Sequence, residues 1–311
     1  MKRTQQKQEL LELDSRRKSG DNSLNTLLLK CRHDFLTFCK FVTNGVFKPF
    51  KVHEVIAHEL TLLANAENRR LMLSCPPRSG KSFMSAQLFL PWAMGRSPRA
   101  QHITASYGTK LSLDNARGAL VVLVSDRYKA VFPEIELKSE EKINEIRNRQ
   151  GGIIRVTSVR SNVTGLGFGV LEDDELPGYV ILDDLLADGI SRAVKNSTWN
   201  WTITQLLTRA LPNNAQMMIG TRFAEDDIHA RLLENQKDLW KVVNIPALSI
   251  EVGNKDPLNR IRTGLSHWPE YFPVSMLKEI RSANERSFQC LYQGIPTNAE
   301  SGLFTAADLT I

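Results

Sequence analysis

The sequence predicts an α/β fold, a mainly parallel sheet flanked by helices. Two observations carry the prediction. Between residues 70 and 245, short strand-like apolar runs alternate with stretches of helical spacing, the rhythm of a parallel sheet covered on both faces. The first of these strands also runs directly into a glycine-bearing loop that opens a helix.

Residues 1 to 22 are polar and charged, with Arg16-Arg17-Lys18 before Ser-Gly-Asp-Asn, and read as a frayed helix and linker. From Leu24 to Val42 apolar residues recur at helical spacing, and a second helix is predicted over 52–65. Strands follow at 70–75, 101–106, 152–157, 179–183, 216–220 and 240–245. The helices between them fall at 81–92, 111–124, 192–211 and 226–236, and a last helix at 274–292. This divides the chain into a helical arm or lid over 1–45, a nucleotide-binding domain over 46–295 and the start of a linker over 296–311.

Composition sets the outer limits. The chain has 311 residues, 42% hydrophobic and 24% charged, enough to bury a large core. No run approaches the roughly 18 to 20 apolar residues of a membrane span, and Met1-Lys-Arg-Thr-Gln-Gln-Lys leads into no apolar stretch, so it is not a secretory signal. Cys31, Cys39, Cys75 and Cys290 form no C-x-x-C pair, and Cys31, His33 and Cys39 fit no zinc spacing; a reducing cytoplasm is the simplest home. A net charge of +6 permits a polyanionic partner without demanding one.

The decisive segment is Ser74-Cys-Pro-Pro-Arg-Ser-Gly-Lys-Ser82, between a buried strand and a helix. In a P-loop, backbone N–H groups and the helix N-terminus face the phosphates with partial positive charge. Pro77, Arg78, Ser79 and Gly80 form the loop, and Gly80 lets the backbone come close. Lys81 brings a full charge to the β and γ phosphates of ATP, and Ser82 offers a hydroxyl to Mg²⁺. A strict match would place glycine where Cys75 stands.

Tyr179-Val-Ile-Leu-Asp183-Asp184 has the form of a Walker B strand. Asp183 is expected in the Mg²⁺ shell, and Asp184 is expected to orient the attacking water. Leu171-Glu-Asp-Asp-Glu175 has too few apolar residues before it for a buried strand and reads as a solvated acidic loop. Met217-Met-Ile-Gly220-Thr221-Arg222 ends a third strand. Thr221 is expected to sense the γ-phosphate, and Arg222 either senses nucleotide or pairs with Glu225-Asp226-Asp227. Arg78 is a candidate to stabilise transition-state charge in cis. Arg147, Arg149, Arg155 and Arg160 are candidates to do so from a neighbouring subunit.

These residues together resemble the N-terminal ATPase domain of the large terminase subunit of tailed bacteriophages. Pro77-Arg78-Ser79-Gly80-Lys81-Ser82 is similar to the terminase variant of Walker A. Val131-Phe-Pro133, Thr164-Gly-Leu-Gly167, Ile181-Leu-Asp-Asp184, Ile219-Gly-Thr-Arg222, Trp268-Pro-Glu-Tyr-Phe272, Phe288-Gln-Cys-Leu-Tyr-Gln293 and Ser301-Gly-Leu-Phe304 follow in family order. The resemblance implies a P-loop NTPase of the RecA/ASCE type that hydrolyses ATP with Mg²⁺ to drive double-stranded DNA into a procapsid. The implied partners are a portal protein and a small terminase subunit, and the motor is a homo-pentamer in the host cytoplasm, transiently at the portal vertex. Cys75 for glycine, Asp184 where glutamate is common and the acidic stretch Glu172 to Glu175 depart from the family pattern. Many relatives hold adenine with a residue before the phosphate loop. His53 of Phe50-Lys-Val-His53 stands in that place, or is a histidine on a helix surface. The family's RNase H-like nuclease is not expected here, because too few residues and acids follow Tyr292. A helicase-like or other nucleic-acid-dependent P-loop ATPase is the alternative, although too little chain follows Ile245 for a second RecA-like domain.

Overall fold

The computed structural model describes residues 22–138, 142–171, 176–187 and 189–296. Arg16-Arg17-Lys18, Glu172 to Glu175 and Ser301-Gly-Leu-Phe304 lie outside the described residues.

Seven strands make one sheet: β1 (Arg70–Ser74), β2 (Gln101–Ser106), β3 (Glu145–Arg147), β4 (Ile153–Ser158), β5 (Gly178–Asp183), β6 (Asn214–Ile219) and β7 (Lys241–Asn244). Their order is β3-β4-β2-β5-β6-β1-β7, and every neighbouring pair is parallel except β3 with β4. Parallel neighbours need crossover connections, which explains the alternation of strand and helix in the chain. The phosphate-loop strand β1 and the acidic strand β5 are not neighbours; β6 lies between them.

Side chains alternate across each strand, and both sets are apolar because both faces are covered. Leu71, Leu73, Tyr179, Ile181, Met217 and Ile219 point to one face. There they join α1 (Asn22–His33), α2 (Phe35–Val42), α3 (Lys51–Ala64) and a helix that begins as a π-turn (Phe83–Phe89) and continues as α4 (Leu90–Arg96). Met72, Val180, Leu182 and Met218 point to the other, against Trp201, Leu206, Ile228, Leu232 and Trp240. Full burial of one such aliphatic side chain contributes about 1.5–3 kcal/mol.

The stretch from Leu24 to Val42 is two helices rather than one. Asp34 is extended, and its carboxylate accepts the Thr37 N–H at 2.8 Å, so it stops α1 and caps α2. Both helices belong to the core: Cys31, Phe35 and Phe38 are wholly buried, and Trp92 Nε1 donates to Cys31 O at 2.8 Å. The helix expected over 192–211 is α7 (Arg192–Asn200) and then widens into a π-turn, Trp201–Leu206. The Thr202, Thr204 and Thr208 hydroxyls donate back to carbonyls four residues earlier and compete with the backbone ladder there. The helix expected over 274–292 breaks at Asn284, which caps the turn after it by accepting Ser287 N–H. Helix α6 (Asp126–Val131) and the strand β3 are too short to show a period in the sequence. Among the described residues no helix is long and apolar enough to cross a membrane.

Candidate active site at the carboxyl edge of the sheet

The strand register brings the three motif segments together. Leu73 pairs with Ile219, Ile219 with Asp183, and Asp183 with Ser106. The loops that leave β1, β5 and β6 therefore emerge side by side at the carboxyl edge, where parallel α/β sheets bind ligands.

After β1 the chain turns through two left-handed residues, Arg78 (φ +64°) and Gly80 (φ +75°). At Gly80 a Cβ would come 3.3 Å from His53 Nε2, so glycine suits both the dihedral and the close approach. Cys75 is buried and is not among the residues at positive φ, so its place in the loop does not require glycine. Its thiol is held protonated, pushed up to about 11 by burial. Lys81 is buried, with Nζ 3.7 Å from Asp184 Oδ2. Burial alone would lower its pKa, but the neighbouring carboxylates, Asp184 ahead of Asp183, win and raise it, so Lys81 stays cationic. Pro77 is half-buried beside Arg78, which is exposed. The Ser79 side chain is turned inward. Its hydroxyl lies 3.0 Å from His267 Nε2, and its N–H donates to Pro76 O.

Asp183 is wholly buried at the end of β5. Ser82 Oγ donates to its Oδ1 at 2.9 Å and Asn115 Nδ2 to its Oδ2 at 3.1 Å. Its pKa is pushed up to about 6, first by burial and then by the neighbouring Asp184, against the pull of Ser82, Lys81 and Asn115. A carboxylate so placed favours a nearby positive charge. Asp184 adopts φ +47°, a left-handed conformation that aspartate tolerates better than most residues. Backbone bonds pin it on both sides: its N–H donates to Ile219 O and its carbonyl accepts Tyr107 N–H. Oδ1 accepts Thr221 N–H at 3.0 Å and faces the Thr221 hydroxyl at 3.4 Å. Gly220 is required here, since a Cβ would sit 2.9 Å from that same oxygen.

Thr221 thus holds Asp184. Arg222 pairs with Asp227, the cap of α8 (Ile228–Gln236), at 2.7 Å, the second of the two roles open to it from sequence. Arg155 is buried against Glu145 and Gln101, which removes it as a finger for a neighbouring subunit. Arg147 and Arg149 pair with Glu145 and Glu136, and Arg160 donates to Ser197 Oγ.

His53 is neither at an open adenine cleft nor on a helix surface. It is buried beneath Gly80, with Nδ1 accepting the Phe50 N–H at 2.9 Å and its ring edge-on to Trp268. Burial pulls its pKa down to about 4. His267 and Trp268 therefore floor the phosphate loop together with His53. No local signal announced this, because His267 is far from Ser79 along the chain. Asn115 did carry a signal: on α5 (Thr109–Val124) it shares the buried stripe of Ser112, Ala116, Ala119 and Leu123. A lone amide on such a stripe needs a buried partner.

The chain has the fold of large terminase ATPase domains. An arginine-to-alanine mutant of the ATPase domain of the Thermus phage P74-26 large terminase is 14% identical. The match covers 81% of this chain and 95% of that one, with a TM-score of 0.50. The large terminase of bacteriophage HK97 is 12% identical over 80% of this chain and 50% of that one, TM-score 0.49. The large terminase of a thermophilic bacteriophage, in complex with ADP, is 12% identical over 79% and 53%, TM-score 0.43. The chain thus spans about half the length of these last two proteins. No protein-family model matches the sequence, and no curated protein matches it either.

Proposed function

We propose that this chain is an ATP-hydrolysing motor domain of the large-terminase class, which drives double-stranded viral DNA into a procapsid. One observation carries the reading. Lys81, Ser82, Asp183 and Asp184, drawn from two strands separated by a third, converge within ion-pair and hydrogen-bond reach. A protein that only bound nucleotide would have no use for the second carboxylate.

Lys81 holds the β and γ phosphates of ATP, helped by the backbone of Arg78 to Ser82 and the helix that follows. With the phosphates bound, Lys81 has a stronger partner than Asp184, and the carboxylate is released to orient water and accept its proton. Thr221 keeps one oxygen of Asp184 fixed while the other works. Ser82 and Asp183 fit a Mg²⁺ ion, being hard oxygen donors of which one is a buried carboxylate short of positive charge. A single protein carboxylate is enough where waters and phosphates complete the shell, and among the described residues no group of three or more His, Cys, Asp or Glu is placed to hold a metal ion. When bound, the ion would neutralise charge on the β and γ phosphates. Arg78 is exposed and forms no hydrogen bond or ion pair among the described residues, so its guanidinium is available to the transition state.

The resemblance in the sequence and the likeness of fold support the rest of the reading: a homo-pentamer on the portal protein, supplied with DNA by a small terminase subunit, in the host cytoplasm and transiently at the portal vertex. The test is phosphate release by the purified chain with ATP and Mg²⁺, with and without double-stranded DNA, beside Lys81→Ala. Turnover that depends on Lys81 and rises with DNA is the expected result. Equal turnover in Lys81→Ala would overturn the phosphate-loop assignment, and a rate indifferent to DNA would count against the motor.

A further inference from the structure

The loop after β6 and the start of α8 enclose a cavity of about 10 Å³, whose lining includes Asp184, Met218, Thr221, Asp227 and His229. That volume is roughly one water molecule's. Nε2 of His229 is buried without a hydrogen-bond partner among the described residues, on a side chain only 6% exposed. The ring comes near Asp184: a Cβ at Gly220 would lie 3.3 Å from His229 Cε1 and 2.9 Å from Asp184 Oδ1. Histidine and carboxylate thus approach the same point, and no direct hydrogen bond joins them.

The other ring nitrogen fixes the tautomer. Nδ1 lies 4.0 Å from Asp227 Oδ1, and Asp227 already accepts from Arg222 Nε and the Ala230 N–H. Burial pulls the imidazole pKa down to about 4, so the ring is neutral and carries one N–H. The negative charge of Asp227 favours that proton on Nδ1, which leaves Nε2 an acceptor. A water between an acceptor nitrogen and a carboxylate satisfies both by donating one hydrogen to each.

We propose that one buried water fills this cavity, donating to His229 Nε2 and to the Asp184 carboxylate, and that His229 is thereby a positioning residue for Asp184. The inference rests on the ATPase reading only in giving Asp184 the attacking water. The hold matters because Asp184 sits in a left-handed conformation, and among the described residues only Thr221 otherwise fixes the Oδ1 side.

Two measurements test it: a crystal structure of the full chain that resolves ordered water, and steady-state ATPase kinetics of His229→Leu and His229→Gln. The expected density is one water within about 3 Å of both His229 Nε2 and an Asp184 oxygen. His229→Leu is expected to lower kcat about tenfold with KM within about twofold, the scale of losing an outer hydrogen bond to a working group. His229→Gln, whose amide oxygen can accept from the water, recovers most of the rate. A dry cavity overturns the proposal, and so does an unchanged kcat in His229→Leu. Loss of kcat together with raised KM and lowered Tm, without rescue by glutamine, also overturns it, since that is the mark of a merely structural residue. Density for the water in a chain without ATPase activity supports the bridge and sinks the ATPase reading. A dry cavity in an active enzyme does the reverse.

Discussion

At the residue scale the site is an arrangement of two adjacent carboxylates in different environments. Asp183 is buried and bonded to Ser82 and Asn115, whereas Asp184 is partly open and ion-paired with Lys81. Asp184→Asn keeps the shape but cannot accept a proton from water. It is expected to bind ATP with near wild-type affinity and to hydrolyse it about 10²–10⁴-fold more slowly, as for loss of a general base. Nucleotide binding measured beside single-turnover hydrolysis checks this; if the full rate survives, Glu225 is the next carboxylate to replace. Lys81, Asp183 and Asp184 were legible in the sequence because each is announced by its own neighbours, a loop or an apolar strand. His229 and His267 were not, because each gains its meaning from a segment distant in the chain. Nor was the partner of the Ser79 hydroxyl, His267, which the loop motif cannot reveal.

At the element scale the long strands and helices were legible, since six of the seven strands follow from apolar runs and their alternation with helices. Their ends and interruptions were not. Asp34 interrupts a run whose apolar spacing continues through it: Cys31 and Phe35 lie on the same buried face on either side. The competing effect is a capping bond of local origin. Asp34→Ala is expected to destabilise the domain by about 1 kcal/mol, the usual cost of losing a helix N-cap. Asp34→Ser should recover most of this, since serine caps nearly as well. Denaturant unfolding of the two variants reads the difference; an Asp34→Ala chain as stable as wild type would mean that α1 and α2 merge into one helix at no cost.

The whole molecule adds two behaviours that no single element carries. The first is acid sensitivity. Burial lowers the pKa of His53, His229 and His267 to about 4 and that of His102 to about 3. The unfolded chain protonates its histidines near pH 6.5, so below that pH it binds more protons than the folded one. The stability these neutral histidines contribute is therefore complete above about pH 6.5 and is lost as pH falls towards 4. At pH 5 each costs about 2 kcal/mol, and two of them approach the low end of total domain stability. Asp183, with its raised pKa, works in the opposite sense between about pH 4 and 6 but is one group against four. Thermal melts of the ligand-free chain should show Tm falling steeply from pH 6.5 to 5; a flat profile would mean that the buried histidines reach solvent.

The second is whether the rate depends on neighbours, and it turns on where the arginines sit. A P-loop motor needs a guanidinium at the transition state, from its own loop or from the next subunit. Arg155 is locked in the sheet, Arg147 and Arg149 are paired, and Arg160 is exposed on the loop after β4, with φ +66° and a hydrogen bond to Ser197. β4 is two strands from β5, so Arg160 is on the same carboxyl edge as Asp183 but to one side of it. Arg78 is in the phosphate loop itself, at φ +64°. If Arg160 serves the next subunit, the isolated chain is a weak ATPase whose specific activity rises with protein concentration. Arg160→Ala would then abolish that rise while leaving the dilute rate alone, and Arg78→Ala would leave the rise in place. If Arg78 acts in cis, specific activity is flat with concentration and Arg78→Ala removes it, by about 10³-fold or more, the scale of a missing arginine finger. Specific activity measured across a dilution series for wild type and the two variants separates the arrangements, because a residue acting within its own chain cannot make the rate per chain depend on how many chains are present.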